Sequence, residues 1–284
     1  MPLTGALQFY HLRAWQRKIG GRLLLYVALA YVLAGQWRWW PMALNALAVC
    51  GLFMFANAFD DYWDFRLKRE PTVLSTYVAT GRLTPTRALL LTCAPLLLVL
   101  PLPIAAAPLS LPGEAIRWRI AATLAVLLGY SVPPVRLKDR VPWGFLTAPV
   151  LAPLLFTLSV VVLRPMDAVL ARFVWLLFLF QAYAEAIHVV DNAESGHPLR
   201  KLSAPAARRL VQWLPLASLV SALSFAFSHW AYLVTACAAV IRWLSARRLS
   251  AEQLSRHRRN LLSPLWSLFE FVAYAALGFW HLVG

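Results

Sequence analysis

Trp40–Phe59, WPMALNALAVCGLFMFANAF, carries no formal charge and runs directly into Asp60-Asp61-Tyr62-Trp63-Asp64. A helix rises about 1.5 Å per residue, so a run of this length crosses a hydrocarbon layer of about 30 Å. The stretch therefore reads as a transmembrane helix whose end at one membrane face carries three carboxylates.

The rest of the chain repeats the apolar half of that pattern. Of 284 residues, 61% are hydrophobic and 14% charged, a balance far from that of a soluble domain. Further spans are expected near Leu23–Gly35, Ala88–Pro108, Ile120–Val132, Trp143–Leu163, Val169–Val190, Leu210–Phe227, Trp230–Ala246 and Leu262–Val283. The expected fold is all-α, a single domain over residues 1–284 built as an integral membrane bundle of about nine transmembrane helices.

Basic residues orient the bundle. Arg13, Arg17, Lys18 and Arg22, with the loops after the second, fourth, sixth and eighth spans, hold most of the positive charge. Short loops of this kind are retained in the cytoplasm. The amino terminus and these loops are expected to be cytoplasmic, in the cell (inner) membrane, and the carboxyl terminus outside. The net charge of +15 follows from this bias and from attraction to anionic lipid head groups, without a nucleic-acid partner. No obligate protein partner is implied. Cys50, Cys93 and Cys237 lie in apolar runs without metal-ligand spacing. The first twenty-two residues lack the apolar core and cleavage site of a signal peptide, and Phe9–Arg22 resembles an interfacial amphipathic stretch.

Acidic residues number only twelve, so their placement is informative. On a helix Asn57, Asp61 and Asp64 fall at i, i+4 and i+7, and Asp60 and Asp64 at i and i+4, which brings several oxygens to one face. Carboxylates so crowded repel one another unless a positive charge sits among them. Mg²⁺ suits such a set, because it takes a few carboxylates together with waters and phosphate oxygens. The competing reading is a solvated helix end paired with Arg66, Lys68 and Arg69.

A second cluster closes the sixth span, with Glu185, His188, Asp191 and Glu194 at every third position, then Arg200 and Lys201. Acids at a membrane edge are functional candidates because of what they cost to place there. His188 or Glu185, deeper than the other acids, could accept a proton or stabilise a cation. A third feature, Tyr130-Ser131-Val132-Pro133-Pro134-Val135-Arg136-Leu137-Lys138, stops the fourth span with a proline pair and supplies donors for phosphate oxygens. All three features are expected at the same face.

Together these residues resemble the UbiA superfamily of intramembrane prenyltransferases. The run from Asn57 to Thr80-Gly81-Arg82-Leu83-Thr84-Pro85 is similar to its first aspartate motif and following amphipathic loop. The Tyr130–Lys138 run resembles the loop between its helices four and five, and Val190-Asp191-Asn192-Ala193-Glu194-Ser195-Gly196 its second aspartate motif. The resemblance covers nearly the whole chain in the right order.

It implies a nine-helix bundle around a central lipid-open cavity, with isoprenyl diphosphate bound through Mg²⁺ and ionised to an allylic cation that meets a hydrophobic, aromatic acceptor. Asn57, Asp60, Asp61 and Asp64 would form the first metal site and Asp191 and Glu194 the second. Arg66, Lys68, Arg136, Lys138, Arg200 and Lys201 would bind diphosphate, and Tyr130 would contact it or the substrate. His188 would act in catalysis.

The chain departs from the usual pattern. The family's first motif places Asp after the Asn and at the fifth and ninth positions, where this chain has Ala58, Asp61 and Phe65. Ser195 stands at one expected Asp of the second motif. Asp60-Asp61-Tyr62-Trp63-Asp64 also reads literally as the DDxxD of terpene synthases, so a membrane cyclase is an alternative. A transporter or lipid-binding scaffold is another. Of the thirteen Trp, Trp37, Trp39, Trp40, Trp118 and Trp143 read as interfacial, and Trp63, Trp175, Trp243 and Trp266 as packing.

Overall fold

A computed structural model describes residues 10, 20–35, 37–67, 72–107, 113–194 and 202–248. Those residues form helices joined by short loops, and no strand occurs among them. The helices are α1 Gly20–Leu33, α2 Trp39–Arg66, α3 Val73–Ala79, α4 Pro85–Val99, α5 Leu102–Ala106, α6 Gly113–Ser131, α7 Trp143–Val161, α8 Ala168–Glu194, α9 Ala204–Ala226 and α10 Tyr232–Arg248.

Eight of the nine expected spans coincide with these helices, one of them as the pair α4 and α5. The ninth, Leu262–Val283, lies outside the described residues, as do Lys68, Arg200, Lys201 and the side chain of Glu194. Five helical segments are by themselves long and apolar enough to cross a membrane: Trp39–Arg66, Pro85–Ala106, Trp143–Val161, Ala168–Ala193 and Ala204–Ala226. With these, the chain is an integral membrane protein.

Two boundaries differ from expectation. α2 continues to Arg66, about two turns past Phe59, so the carboxylates sit on regular helix rather than after it. The third span is broken, because Pro101 and Pro103 cannot donate to the α4 ladder and the chain restarts as α5.

Local chemistry sets the other ends. Thr72 caps α3 through a reciprocal exchange with Ser75. Gly81, at φ +69°, takes the left-handed turn after α3, and its N–H donates to the Val78 carbonyl. Thr84 then caps α4, whose first residue is Pro85.

Consecutive helices pack as neighbours, and α1 closes the arrangement by packing on both α2 and α7. In lipid, where hydrocarbon outside is as apolar as the interior, close approach rather than burial holds helices together. Small residues supply it: Ala30, Ala48, Ala58, Ala88, Ala222 and Ala239 are fully buried, and Gly51 receives the Val99 side chain of α4. Apolar side chains left facing outward, among them Leu90, Leu97, Val220 and Phe227, suit a lipid-exposed surface. Trp37, Trp39, Trp40, Trp118 and Trp143 are exposed at helix ends, as expected of interfacial tryptophans.

Candidate active site

The site is built where the end of α2 meets the loop between α6 and α7. Asp60 and Asp64, one turn apart on α2, face that loop. Arg136 sits in it at φ +34°, a conformation L residues rarely adopt. Its own contacts hold it there. The Arg136 N–H donates to the Val132 carbonyl at 2.7 Å, and the guanidinium fans out to Asp139 at 2.6 Å, the Ser131 carbonyl at 3.3 Å and Asp64 Oδ1 at 2.5 Å.

Leu137–Asp139 follow as a single 3-10 turn. This turn aims Lys138 at both carboxylates: Nζ lies 2.6 Å from Asp60 Oδ1 and 2.8 Å from each oxygen of Asp64. Ser131, at the end of α6, adds a third donor, its hydroxyl 2.7 Å from Asp60 Oδ1. The start of α7 supports the turn from behind: a Cβ on Gly144 would stand 2.5 Å from the Lys138 carbonyl oxygen, so only glycine permits this approach.

The crowding of carboxylates is thus resolved by cations of the chain itself. Burial works against the charge on Lys138, but Asp60 and then Asp64 more than offset it, and its pKa is raised. Burial likewise opposes the Arg136 charge, and Asp64 and Asp139 raise its pKa in spite of it.

Above this polar edge lies a cavity of about 370 Å³. α2 lines it with Leu52, Phe53, Ala56, Asn57 and Asp60, and α6 with Thr123, Leu127, Tyr130 and Ser131. α7 contributes Ala148, Leu151, Ala152 and Leu155, α8 contributes Gln181, Ala184 and Glu185, and α1 contributes Tyr26. Asp60 belongs to both the cavity and the loop contacts, so a ligand with an apolar body and an anionic head could meet both at once.

Of the residues singled out from sequence, Asn57, Asp60, Tyr130 and Glu185 line the cavity, and Asp64, Arg136 and Lys138 form the ion-pair cluster beneath it. Asp61 is half-buried on the same turn of α2 and Arg66 is exposed in its last turn; neither lines the cavity. Asp191 is half-buried near the end of α8. His188 is also half-buried and does not line the cavity; Asn192 Nδ2 lies 2.8 Å from its Nδ1 and donates to its carbonyl.

Sequence reasoning missed Gln181 as a lining residue, Ser131 as a partner of Asp60, and Asp139 as a partner of Arg136. The i, i+4 spacing of Gln181 and Glu185, and the i, i+3 spacing of Arg136 and Asp139, were the available signals.

The oxygens present suit a hard cation. Asn57 Nδ2 donates to the Phe53 carbonyl at 2.8 Å, which leaves its Oδ1 for a ligand, and Asp60 takes both donors on Oδ1 and keeps Oδ2. Asp64 is different, because Arg136 and Lys138 occupy its oxygens. Among the described residues no three His, Cys, Asp or Glu gather as a metal site. The donor set therefore fits an ion completed by waters and phosphate oxygens rather than an all-protein cage.

No family model matches the sequence, and no curated protein matches it. Solved structures do. A UbiA homologue from Archaeoglobus fulgidus bound to DMAPP and Mg²⁺ superposes with TM-score 0.71 at 17% identity, covering 98% of this chain and 99% of that one. The same homologue bound to GPP and Mg²⁺ gives TM-score 0.71 at 16% identity, covering 99% and 100%. A digeranylgeranylglyceryl phosphate synthase gives 0.66 at 13% identity, covering 97% and 98%. At these identities the likeness is one of fold: the chain has the fold of UbiA-type membrane proteins along nearly its full length.

Proposed function

We propose that the chain is a Mg²⁺-dependent prenyltransferase that moves an isoprenyl group from its diphosphate to a hydrophobic aromatic acceptor. One observation carries the reading: Asp60 joins an apolar intramembrane cavity to a buried cluster of Lys138, Arg136 and Ser131. Allylic diphosphates have this duality. The solved structures of like fold with DMAPP or GPP and Mg²⁺ support it.

The anionic head lies at the polar edge, where Lys138 and Arg136 hold its oxygens and Asn57, Asp60 and Asp61 would hold Mg²⁺. Asp191 and Glu194 would hold a second ion. Bound there, Mg²⁺ supplies charge stabilisation for the departing diphosphate. The C–O bond to diphosphate breaks, and the positive charge spreads over the allylic carbons inside the cavity. A ring carbon of the acceptor then supplies the electrons of the new C–C bond, and that carbon loses its proton. Glu185 lines the cavity and is placed to take it, in preference to His188, which is turned toward Asn192. The apolar walls exclude water that would otherwise capture the cation.

A cyclase of the same fold is the alternative reading. Among the described residues the aromatic lining of the cavity is Tyr26, Phe53 and Tyr130. Trp63 packs on Phe59 and Tyr62, Trp175 donates to Ser221, and Trp243 lies under Arg247. Residues 1–284 act as one domain in this reading, in the inner membrane with the site facing the cytoplasm.

The test is incubation of purified protein with Mg²⁺ and geranyl, farnesyl or geranylgeranyl diphosphate, with and without hydroxylated aromatic acceptors, and mass spectrometry of the organic phase. Prenylated acceptor that disappears in chelator is expected. A cyclic hydrocarbon formed without acceptor would replace transferase with cyclase, and intact diphosphate under every condition would leave neither.

A further inference from the structure

Gln181 lines the cavity from α8, half-buried, and takes no part in the polar edge where the diphosphate is placed. Its amide has no hydrogen-bond partner among the described residues. Thr123, also in the lining, is spent differently, because its hydroxyl donates to the Arg119 carbonyl at 2.8 Å. Glu185 follows Gln181 by four residues, so the amide and the carboxylate lie one turn apart on a shared face of α8 that lines the cavity.

The charge around this pair is of one sign. Among the described lining residues the charged side chains are Asp60 and Glu185, both acids, with no Lys, Arg or His beside them. Lys138 and Arg136 are committed to the polar edge, against Asp60, Asp64 and Asp139. A ligand carboxylate brought into a membrane interior needs a cation or several donors to be tolerated, and next to Glu185 it would meet like charge. A hydroxyl meets neither penalty. It both donates and accepts, as an amide does, so it can accept from the Gln181 N–H and donate to the Glu185 carboxylate.

We infer that Gln181, with Glu185 one turn away, recognises the acceptor through a ring hydroxyl, and that the acceptor is an uncharged phenol or quinol rather than an aromatic carboxylate. The inference rests on the prenyl-transfer reading. A hydroxyl held by this pair sets the ring beside Glu185, the group assigned to take the proton that the ring carbon loses.

Matched acceptors read the selectivity: para-cresol against para-hydroxybenzoate, and naphthohydroquinone against dihydroxynaphthoate, each with Mg²⁺ and geranyl, farnesyl or geranylgeranyl diphosphate. The uncharged member of each pair should have the higher kcat/KM by at least about ten-fold, since like charges brought together cost this much or more. Gln181→Leu should raise KM for the uncharged acceptor by about five-fold, the scale of one hydrogen bond between uncharged groups, with a smaller change in kcat. Gln181→Lys puts a cation beside Glu185 and should shrink the discrimination against the carboxylated member. Equilibrium binding of radiolabelled geranyl diphosphate in Mg²⁺ should persist in both variants, which shows that they fold. Preference for the carboxylated acceptors, a ratio that neither variant moves, or loss of geranyl diphosphate binding in both would overturn the acceptor assignment and leave prenyl transfer standing. No prenylated product from any donor and acceptor would overturn both.

Discussion

Asp60, Asp61 and Asp64 look equivalent as letters but hold different positions. Asp64 is buried, with Arg136 and Lys138 on its oxygens at 2.5–2.8 Å, whereas Asp61 is half-buried beside them. Removing one partner of a buried ion pair leaves uncompensated charge and costs about 3–5 kcal/mol. Asp64→Ala should therefore lower thermal stability by about that amount as well as abolish turnover. Asp61→Ala should cut kcat/KM by about a hundred-fold or more, as loss of one transition-state contact does, with a smaller loss of thermal stability than Asp64→Ala. Paired melting curves and rates separate the two; equal melting of both variants would count against Asp64 as the loop's anchor.

Lys138 sets the pH dependence at the same scale. Its pKa is raised in the folded state, so its ion pairs stabilise fully below the ordinary lysine value of about 10.4 and are lost as pH rises through the higher folded value. Diphosphate affinity and stability should hold through neutral pH into the mildly alkaline range as far as this group is concerned. They should fall only in strong alkali, and Lys138→Met should lack that alkaline loss in a stability–pH series.

At the scale of elements, the start of α7 is seated against the back of the Leu137–Asp139 turn. Gly144→Ala would drive a Cβ into the Leu137 and Lys138 carbonyls, backbone atoms with no side-chain freedom to yield. Overpacking of this kind costs about 1–3 kcal/mol. The expected outcome is weaker diphosphate binding through displaced Lys138, measurable by titration, while a control at exposed Leu146 leaves affinity alone.

The helices themselves were legible, because a membrane writes long apolar runs into any chain that crosses it. The extension of α2 through Arg66 was not, since carboxylates end an apolar run without ending a helix. The Pro101 break was written in the sequence but subordinated to hydropathy. The loop motif gave Arg136 and Lys138 as cations. Their partners Asp60 and Asp64 lie more than seventy residues earlier, a distance no local pattern spans. His188 fitted the three-residue spacing of its cluster, yet its i, i+4 neighbour Asn192 engages it.

For the molecule as a whole, the positive-inside reading places the Arg136–Lys138 loop in the cytoplasm and the α1–α2 and α9–α10 turns outside. Single cysteines at Val135 and at Ser228, in a background without Cys50, Cys93 and Cys237, should react with an impermeant maleimide from opposite sides of sealed vesicles. Labelling of both from one side would refute the orientation. At this scale the sequence carried the order of the helices. It could not carry the cavity, whose walls come from five helices and whose depth is a property of their packing.

The contact of α1 with both α2 and α7 also bears on biogenesis. Helices leave the ribosome in order, so the first is in the bilayer long before the seventh exists. Until Trp143–Val161 is made, α1 has only one of its two neighbouring walls. The contact between α1 and α7 is then a late clasp between an early helix and a late one, and α8 completes the cavity wall after it. Nascent chains arrested before α7 are expected to show α1 still crosslinked to the insertion machinery.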